Sequence, residues 1–259
     1  MCLILIAVSA HPEYPLILAA NRDEFYDRPS APVSFWEDAP NVLAGRDLQS
    51  MGTWLGVNTS GSFAAVTNFR EPELVRLKAP SRGHLVADFL MSDAAAADYM
   101  ERVRSVGDDY NGFNLLVGRG REVYYYSNRR AAVQKMDSGI YGLSNDVLDT
   151  PWPKVQKGKN MLSAVLEKGG EIDPDDLFTI LRDEAYAPDH ELPDTGAGDV
   201  WERILSPLFI TSRIYGTRCS SIILMDKNDD ITFYEKTFYP EKGEIAEEST
   251  ARFSIRCTS

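Results

Sequence analysis

The chain has 259 residues, of which 44% are hydrophobic and 25% charged, so it can bury a core that needs neither disulfides nor metals. Its formal net charge of −12 opposes binding to nucleic-acid phosphates and to anionic lipid surfaces, and no nucleic-acid partner is expected. Three widely spaced cysteines exclude a disulfide framework and a zinc site built on paired cysteines, and no metal or other cofactor is expected.

Strand signals dominate the first part of the chain. Two apolar runs, residues 2–9 and 16–20, are joined by a short polar connection and predict a hairpin of central strands. The proline-containing residues 27–41 predict loop or edge structure. Residues 53–58 and 62–68 predict a second hairpin. The first run follows no basic segment and is too short to span a bilayer, so we expect a cytoplasmic protein without stable membrane insertion.

Helices and strands alternate less regularly in the rest of the chain. The predicted helices are residues 84–91, a segment opened by Asp93, residues 153–167 and residues 175–183. The predicted strands are residues 113–117, 122–126, 140–143, 218–225 and 231–237. A long polar loop is predicted at residues 185–199. No linker divides the chain, which predicts one α+β domain, residues 1–259, built on antiparallel sheets with helices outside.

Cys2 is the first candidate for chemistry. Removal of Met1 is expected because the next side chain is small, and it would leave a thiol and a free α-amine on one residue. The reference pKa of an α-amine is near 7.7, so this amine can accept the proton of its own thiol. Cys219 and Cys257 have no sequence neighbour that suggests catalysis. Taken alone, Cys2 also fits a small apolar residue that begins a strand.

A run of four polar residues, Asn21 to Glu24, follows the second predicted strand. If the first two strands are antiparallel neighbours, this run lies near Cys2. Arg22 would then lower the thiol pKa, and Asp23 would hold the α-amine. The alternative is a turn closed by salt bridges.

The segments AANRDEFYDRPSAPVSFW, AGRDLQSMGTWLGVNTSGSFAAVTNFR, NGFNLLVG, GLSNDVLDTPWPKV and YGTRCSS occur in this order. Together they resemble the NRDE family, also called the transport-and-Golgi-organisation type 2 family, over nearly the whole chain. That family is similar to N-terminal-nucleophile hydrolases. The resemblance implies a four-layer αββα sandwich of two antiparallel sheets.

The cysteine amidases among those hydrolases supply the implied roles. Their nucleophile matches Cys2, and their arginine and aspartate match Arg22 and Asp23. Because the amidases space this pair differently, Asn21 or Glu24 is an alternative for one role. The other implied or candidate site residues are Asn68 and Asn145 for an oxyanion hole, Arg218 (or Arg213) as a late arginine, and Trp54 as a pocket wall.

Two of these assignments have a structural alternative. Asn68 and Asn145 fit turn chemistry, since asparagine tolerates turn conformations. Trp54 fits ordinary packing. The polar residues 192–203 are a candidate cover for the site, on length and polarity alone.

The resemblance implies a cysteine amidohydrolase that acts on a non-peptide C–N bond of a small-molecule amide or acyl ligand. The alternative from the same resemblance is a carrier of haem or acyl-coenzyme A lipids, linked to membrane trafficking. The sequence carries no signal of an oligomeric state.

Overall fold

The computed structural model describes residues 2–130, 132–241 and 244–257. Within these residues, two antiparallel sheets lie face to face, with helices packed on the outer face of each. The strands are β1 (Cys2–Val8), β2 (Leu16–Phe25), β3 (Ser30–Phe35), β4 (Val42–Asp47), β5 (Leu55–Asn58), β6 (Ser62–Asn68), β7 (Phe113–Arg119), β8 (Glu122–Ser127), β9 (Gln134–Lys135), β10 (Gly139–Leu143), β11 (Tyr215–Met225), β12 (Ile231–Glu241) and β13 (Glu244–Ile255). The helices are α1 (Gly83–Leu90), α2 (Ala96–Val106), α3 (Pro153–Glu167), α4 (Pro174–Leu181) and α5 (Asp199–Ile204). The predicted αββα layering is confirmed.

The two sheets differ in how they are connected. In the described part of the chain, the first sheet has the strand order β10-β1-β2-β11-β12-β13. The second has the order β3-β4-β5-β6-β7-β8-β9, in which sequence neighbours pair throughout. The first sheet therefore places the N-terminal hairpin beside a C-terminal one, although most of the sequence lies between them.

Successive side chains of a strand point to opposite faces of the sheet, so β1 contributes side chains to two apolar layers. Ile4 and Ile6 point into the apolar layer between the sheets. Leu3 and Leu5 point the other way, into the layer covered by α3 and α4. A strand buried on both faces needs a continuous apolar sequence, and β1 is fully buried along its length. A third layer joins the second sheet to α1 and α2.

The second strand is longer than predicted. The prediction that polar residues 21–24 follow the strand was wrong, because β2 continues to Phe25. The extension pairs with β11, with Asn21 opposite Ser220 and Glu24 opposite Gly216. Backbone pairing and buried polar partners outweigh the low strand propensity of these side chains.

Three of the described strands were not predicted: β4, the two-residue β9 and β13. Residues 42–47 form β4, between the segment predicted as loop or edge structure and the predicted second hairpin. Residues 244–255 form β13 at the edge of the first sheet. The segment predicted as loop or edge structure contains β3, which is an edge strand of the second sheet. Over the described residues, no helix has the length and apolarity needed to cross a membrane.

Candidate active site

Cys2 lies in a row of side chains that crosses the first sheet. Its partner on β2 is Arg22, and the partner of Arg22 on β11 is Cys219. Side chains of directly paired residues project to the same face, here the one between the sheets. Two strand spacings separate Cys2 and Cys219 by roughly 10 Å, too far for a disulfide. Both thiols are free and buried.

This row lines a cavity of about 530 Å³ between the ends of the two sheets and the 75–83 segment. Other predicted site residues that line it are Asp23, Glu24, Trp54, Asn68 and Arg218. The structure thus brings residues from β1, β2, β6 and β11 together around Cys2, although they are far apart in sequence. The 192–203 segment is not part of the lining that the structure describes.

Burial controls the ionisation of the thiol. Desolvation raises the pKa of Cys2, the negative charge of Asp23 raises it further, and Arg22 acts in the opposite direction. A thiol in this setting needs a base to become a thiolate at neutral pH.

Asp23 is held on the side of β2 opposite Arg22. Its Oδ1 accepts a hydrogen bond of 2.7 Å from Thr217 Oγ1, and its main-chain oxygen accepts one of 2.9 Å from Tyr215. Desolvation raises the pKa of Asp23, while the charge of Lys154 lowers it. Asp23 is therefore a buried carboxyl whose ionisation depends on nearby cations.

Lys154 is a functional candidate that sequence reasoning missed. It lies in the first turn of α3 but is buried, and its Nζ donates a 2.9 Å hydrogen bond to the Leu205 oxygen. Burial lowers the pKa of Lys154 to about 8, Arg70 lowers it as well, and Asp23 raises it. The only sequence signal is its place in the segment GLSNDVLDTPWPKV, already quoted for the family resemblance.

A buried ion pair supports the same region. Arg70 and Glu202 form a salt bridge in which both side chains are almost fully buried. The guanidinium of Arg70 stacks on Trp152, 4.6 Å from the ring centre, and its backbone N–H donates to the Asn145 oxygen at 2.7 Å. The pair ties α5 to the segments that follow β6 and β10. Sequence reasoning did not single out either partner.

The two predicted oxyanion asparagines occupy different positions. Asn68 ends β6 and lines the cavity. Asn145 is fully buried, and its Nδ2 donates a 2.9 Å hydrogen bond to the main-chain oxygen of Asn68. Ser144 donates to the main-chain oxygen of Cys2 at 3.2 Å and to Asn145 Oδ1 at the same distance. Asn145 is thus placed to position Asn68 and β1, and its oxyanion role stays a prediction.

Asn21 points away from the cavity. Its Nδ2 donates 2.8 Å hydrogen bonds to the oxygens of Leu181 and Leu208, and its Oδ1 accepts a 2.6 Å bond from Ser220. These contacts engage the amide fully and join β2 to the helical layer. The geometry gives Asn21 a structural role, and Asn21 is not among the described residues that line the cavity.

The remaining predicted residues lie at the cavity wall. Glu24 is 3.8 Å from the guanidinium groups of Arg22 and Arg28. Trp54 is partly buried and packs against the inter-sheet layer and the α1–α2 layer. Arg218 sits at a β-bulge in β11, a feature that re-aims side chains near functional sites.

Glu235 is a second buried carboxyl in the cavity wall and was also missed. It accepts hydrogen bonds from Val33 N at 2.7 Å and from the hydroxyls of Ser221 and Thr237 at 3.2 Å. Burial raises its pKa, and these hydrogen bonds lower it to a smaller extent.

The raised pKa of Glu235 predicts a pH-dependent stability. The unfolded value is about 4.3, so above that pH the native state binds more protons than the unfolded state and stability falls with rising pH. Glu235→Gln removes this loss and keeps an acceptor for Val33. We expect Glu235→Gln to have a higher free energy of unfolding than the wild type. The difference, measured by urea denaturation, is expected to be larger at pH 7.5 than at pH 4.5. An equal gain at both pH values would contradict the assignment, and exposed Glu122→Gln is the control.

The profile of the family described as Transport and Golgi organisation 2 matches residues 1–240. The chain belongs to this family. A Transport and Golgi organization protein 2 homolog of Bos taurus is 38% identical over 277 aligned positions, covering 99% of this chain and 100% of the relative. The family resemblance stated from the sequence motifs is confirmed.

This member of the Transport and Golgi organisation 2 family is similar in fold to two solved hydrolase structures. A mutant conjugated bile acid hydrolase from Clostridium perfringens superposes with a TM-score of 0.55 and 10% identity, covering 97% of this chain and 92% of that one. An N-acylethanolamine-hydrolyzing acid amidase ortholog from Caenorhabditis elegans gives a TM-score of 0.50 and 10% identity, covering 86% and 92%. At such low identity the likeness shows the fold alone.

Proposed function

We propose that the protein is an N-terminal-nucleophile cysteine amidohydrolase that cleaves the C–N bond of a small-molecule amide. The observation that carries the proposal is the position of Cys2 in the cavity wall, directly across from Arg22 on the neighbouring strand. The fold shared with a conjugated bile acid hydrolase and an N-acylethanolamine-hydrolyzing acid amidase supports a hydrolase.

The first half of the reaction uses the thiol and the α-amine of the same residue. Once Met1 is removed, the amine of Cys2 takes the thiol proton, and the thiolate sulfur attacks the carbonyl carbon of the amide. The negative charge that develops on the carbonyl oxygen needs donors, for which Asn68 is the candidate at the cavity wall. The ammonium group then returns the proton to the leaving nitrogen as the C–N bond breaks, which leaves a thioester and a free amine.

The second half restores the enzyme. Water, deprotonated by the same α-amine, attacks the thioester carbonyl, and the thiolate leaves and is reprotonated. The products are a carboxylic acid and the amine already released.

The buried charges next to Cys2 suit this proton transfer. A base must be neutral to accept a proton, and the cations Arg22 and Lys154 favour the neutral form of a nearby amine. Asp23 acts in the opposite sense and is expected to orient the amine. The burial of both Asp23 and Lys154 strengthens these effects, because water does not screen them.

A screen for amine release tests the proposal. Purified protein is incubated with N-acyl amides that differ in acyl chain and amine, and the free amine is quantified. Release that follows enzyme concentration supports the hydrolase. Saturable binding of an acyl compound without amine release would contradict the proposal and support the alternative, a carrier of haem or acyl-coenzyme A lipids.

A further inference from the structure

The cavity is cationic within an acidic protein. Its described lining contains six arginines against four carboxyl residues, whereas the whole chain carries a net charge of −12. The arginines are Arg22, Arg28, Arg46, Arg76, Arg82 and Arg218. The carboxyl residues are Asp23, Glu24, Asp47 and Glu235.

Part of this positive charge is already neutralised within the protein. Arg28 pairs with Asp47 at 2.6 Å, and Arg46 pairs with Asp38 at 2.8 Å. Arg22 has a longer contact of 3.8 Å with Glu24. These arginines have little charge to offer a ligand, with the exception of Arg22.

The other three arginines are fixed by main-chain oxygens instead. Arg76 donates to the oxygens of Asp108 and Tyr110 at 2.8 and 2.5 Å, and Arg82 donates to the Gly112 oxygen at 2.9 Å. Arg218 donates from one nitrogen to three main-chain oxygens of the 25–28 segment at 3.1–3.3 Å. Within the described residues, none of the three forms a salt bridge with a carboxylate. A guanidinium has five N–H groups, so each keeps donors for another acceptor.

Two of these arginines are costly to the free protein. Desolvation lowers the pKa of both Arg82 and Arg218, which means that their surroundings do not fully compensate the buried charge. The charges of Glu24 and Cys2 act on Arg82, and the charge of Glu24 acts on Arg218. Both guanidinium groups line the same cavity as Cys2, where an anion bound to them would relieve the cost.

The same cavity has an apolar side. Phe25, Val75 and Leu77 line it and are 44%, 58% and 98% exposed. Exposed apolar side chains around a cavity are suited to contact with an apolar part of a ligand. The cavity thus offers fixed guanidinium groups together with an apolar surface.

We propose that the substrate is an acyl amide with a carboxylate or other anionic group near the scissile bond, bound by Arg82 and Arg218, with its acyl chain against Phe25, Val75 and Leu77. The anion neutralises charges that the protein leaves without a carboxylate partner. The position of the scissile bond at Cys2 rests on the proposed function, but the preference for an anion does not require turnover.

Binding of two matched probes tests the inference. N-decanoylglycine carries a carboxylate next to its amide, and N-decanoylglycinamide has the same size without the charge. Both are titrated calorimetrically, below their micelle concentrations, into the Cys2→Ala protein, which cannot turn them over. The anionic probe is expected to bind at least about 10-fold more tightly, as one hydrogen-bonded charge pair provides. Added salt is expected to reduce that preference.

Arginine variants show which side chains cause the preference for the anionic probe. Arg82→Gln keeps N–H donors but removes the charge, and it is expected to lower the preference to about 2-fold or less. Arg121→Gln is the control, because Arg121 is exposed in the β7–β8 turn at the far end of the second sheet. Thermal unfolding of each variant checks that it is folded.

Three results would overturn the inference: equal affinity for the two probes, no binding of either, or a preference that survives in both Arg82→Gln and Arg218→Gln. A charge preference without amine release in the wild type would instead refute only the hydrolase. Amine release with no charge preference would refute only the anion site. The two proposals therefore fail separately.

Discussion

Replacing Cys2 by alanine is expected to reduce amide hydrolysis by at least about 10³-fold, because the attacking sulfur is lost while the cavity remains. The side chain is buried and small, so the variant should fold. Initial rates of amine release from the best substrate of the screen, at saturating concentration, provide the measurement.

Cys219→Ala is the matched control for this effect. Cys219 has the same 7% exposure as Cys2, lines the same cavity and lies opposite the same arginine. It carries no α-amine, and burial and the charge of Glu235 raise its pKa well above the usual value. Its replacement is expected to change the rate by less than about 3-fold. Loss of activity in Cys219→Ala with retention in Cys2→Ala would contradict the proposal, because it would identify Cys219 as the nucleophile.

Removing the carboxylate of Glu202 is expected to lower the free energy of unfolding by about 3–5 kcal/mol, because the buried guanidinium of Arg70 loses the carboxylate of this salt bridge. Glu202 also accepts hydrogen bonds from the backbone and side chain of Thr195, so the 195–202 segment loses an anchor. Urea denaturation of Glu202→Ala at pH 7.5 measures the loss.

An exposed ion pair at the neighbouring residue provides the control, because its loss removes a charge pair without leaving a buried charge. Arg203 pairs with Asp189, and both side chains are more than half exposed. Asp189→Ala is therefore expected to cost less than about 1 kcal/mol. The double variant Arg70→Met/Glu202→Leu is expected to recover part of the loss, since it removes both buried charges. Equal losses for Glu202→Ala and Asp189→Ala would contradict a buried, energetically coupled pair.

Much of the fold follows from local sequence. The continuous apolar residues of β1 and the hairpin pattern of β5 and β6 predicted strands that the structure contains. Strand β13 was missed because its described exposed residues include charged and hydroxyl side chains and it lies at a sheet edge, where one neighbouring strand suffices for pairing. Its place in the sheet depends on pairing with β12, and strand propensity alone does not include such pairing.

The candidate site was predictable only in part. Cys2 and Arg22 were placed together correctly because two short, antiparallel strands bring their ends together. Asn21 was misplaced because the polar run was predicted to follow the strand, whereas β2 continues through it and sends Asn21 and Arg22 to opposite faces. Lys154 and Glu235 were not predicted as site residues, because lysine and glutamate are normally exposed and only tertiary packing buries these two.

Mass spectrometry can establish whether Cys2 is an N-terminal nucleophile. Protein purified from its native host is treated with a limiting amount of an acyl-mimicking, thiol-directed electrophile, and intact mass and peptide mapping locate the adduct. Met1 is expected to be absent, and the adduct is expected to form on Cys2 before Cys219 and Cys257, if Cys2 is the nucleophile. Retention of Met1, or equal labelling of the three cysteines, would contradict this role of Cys2.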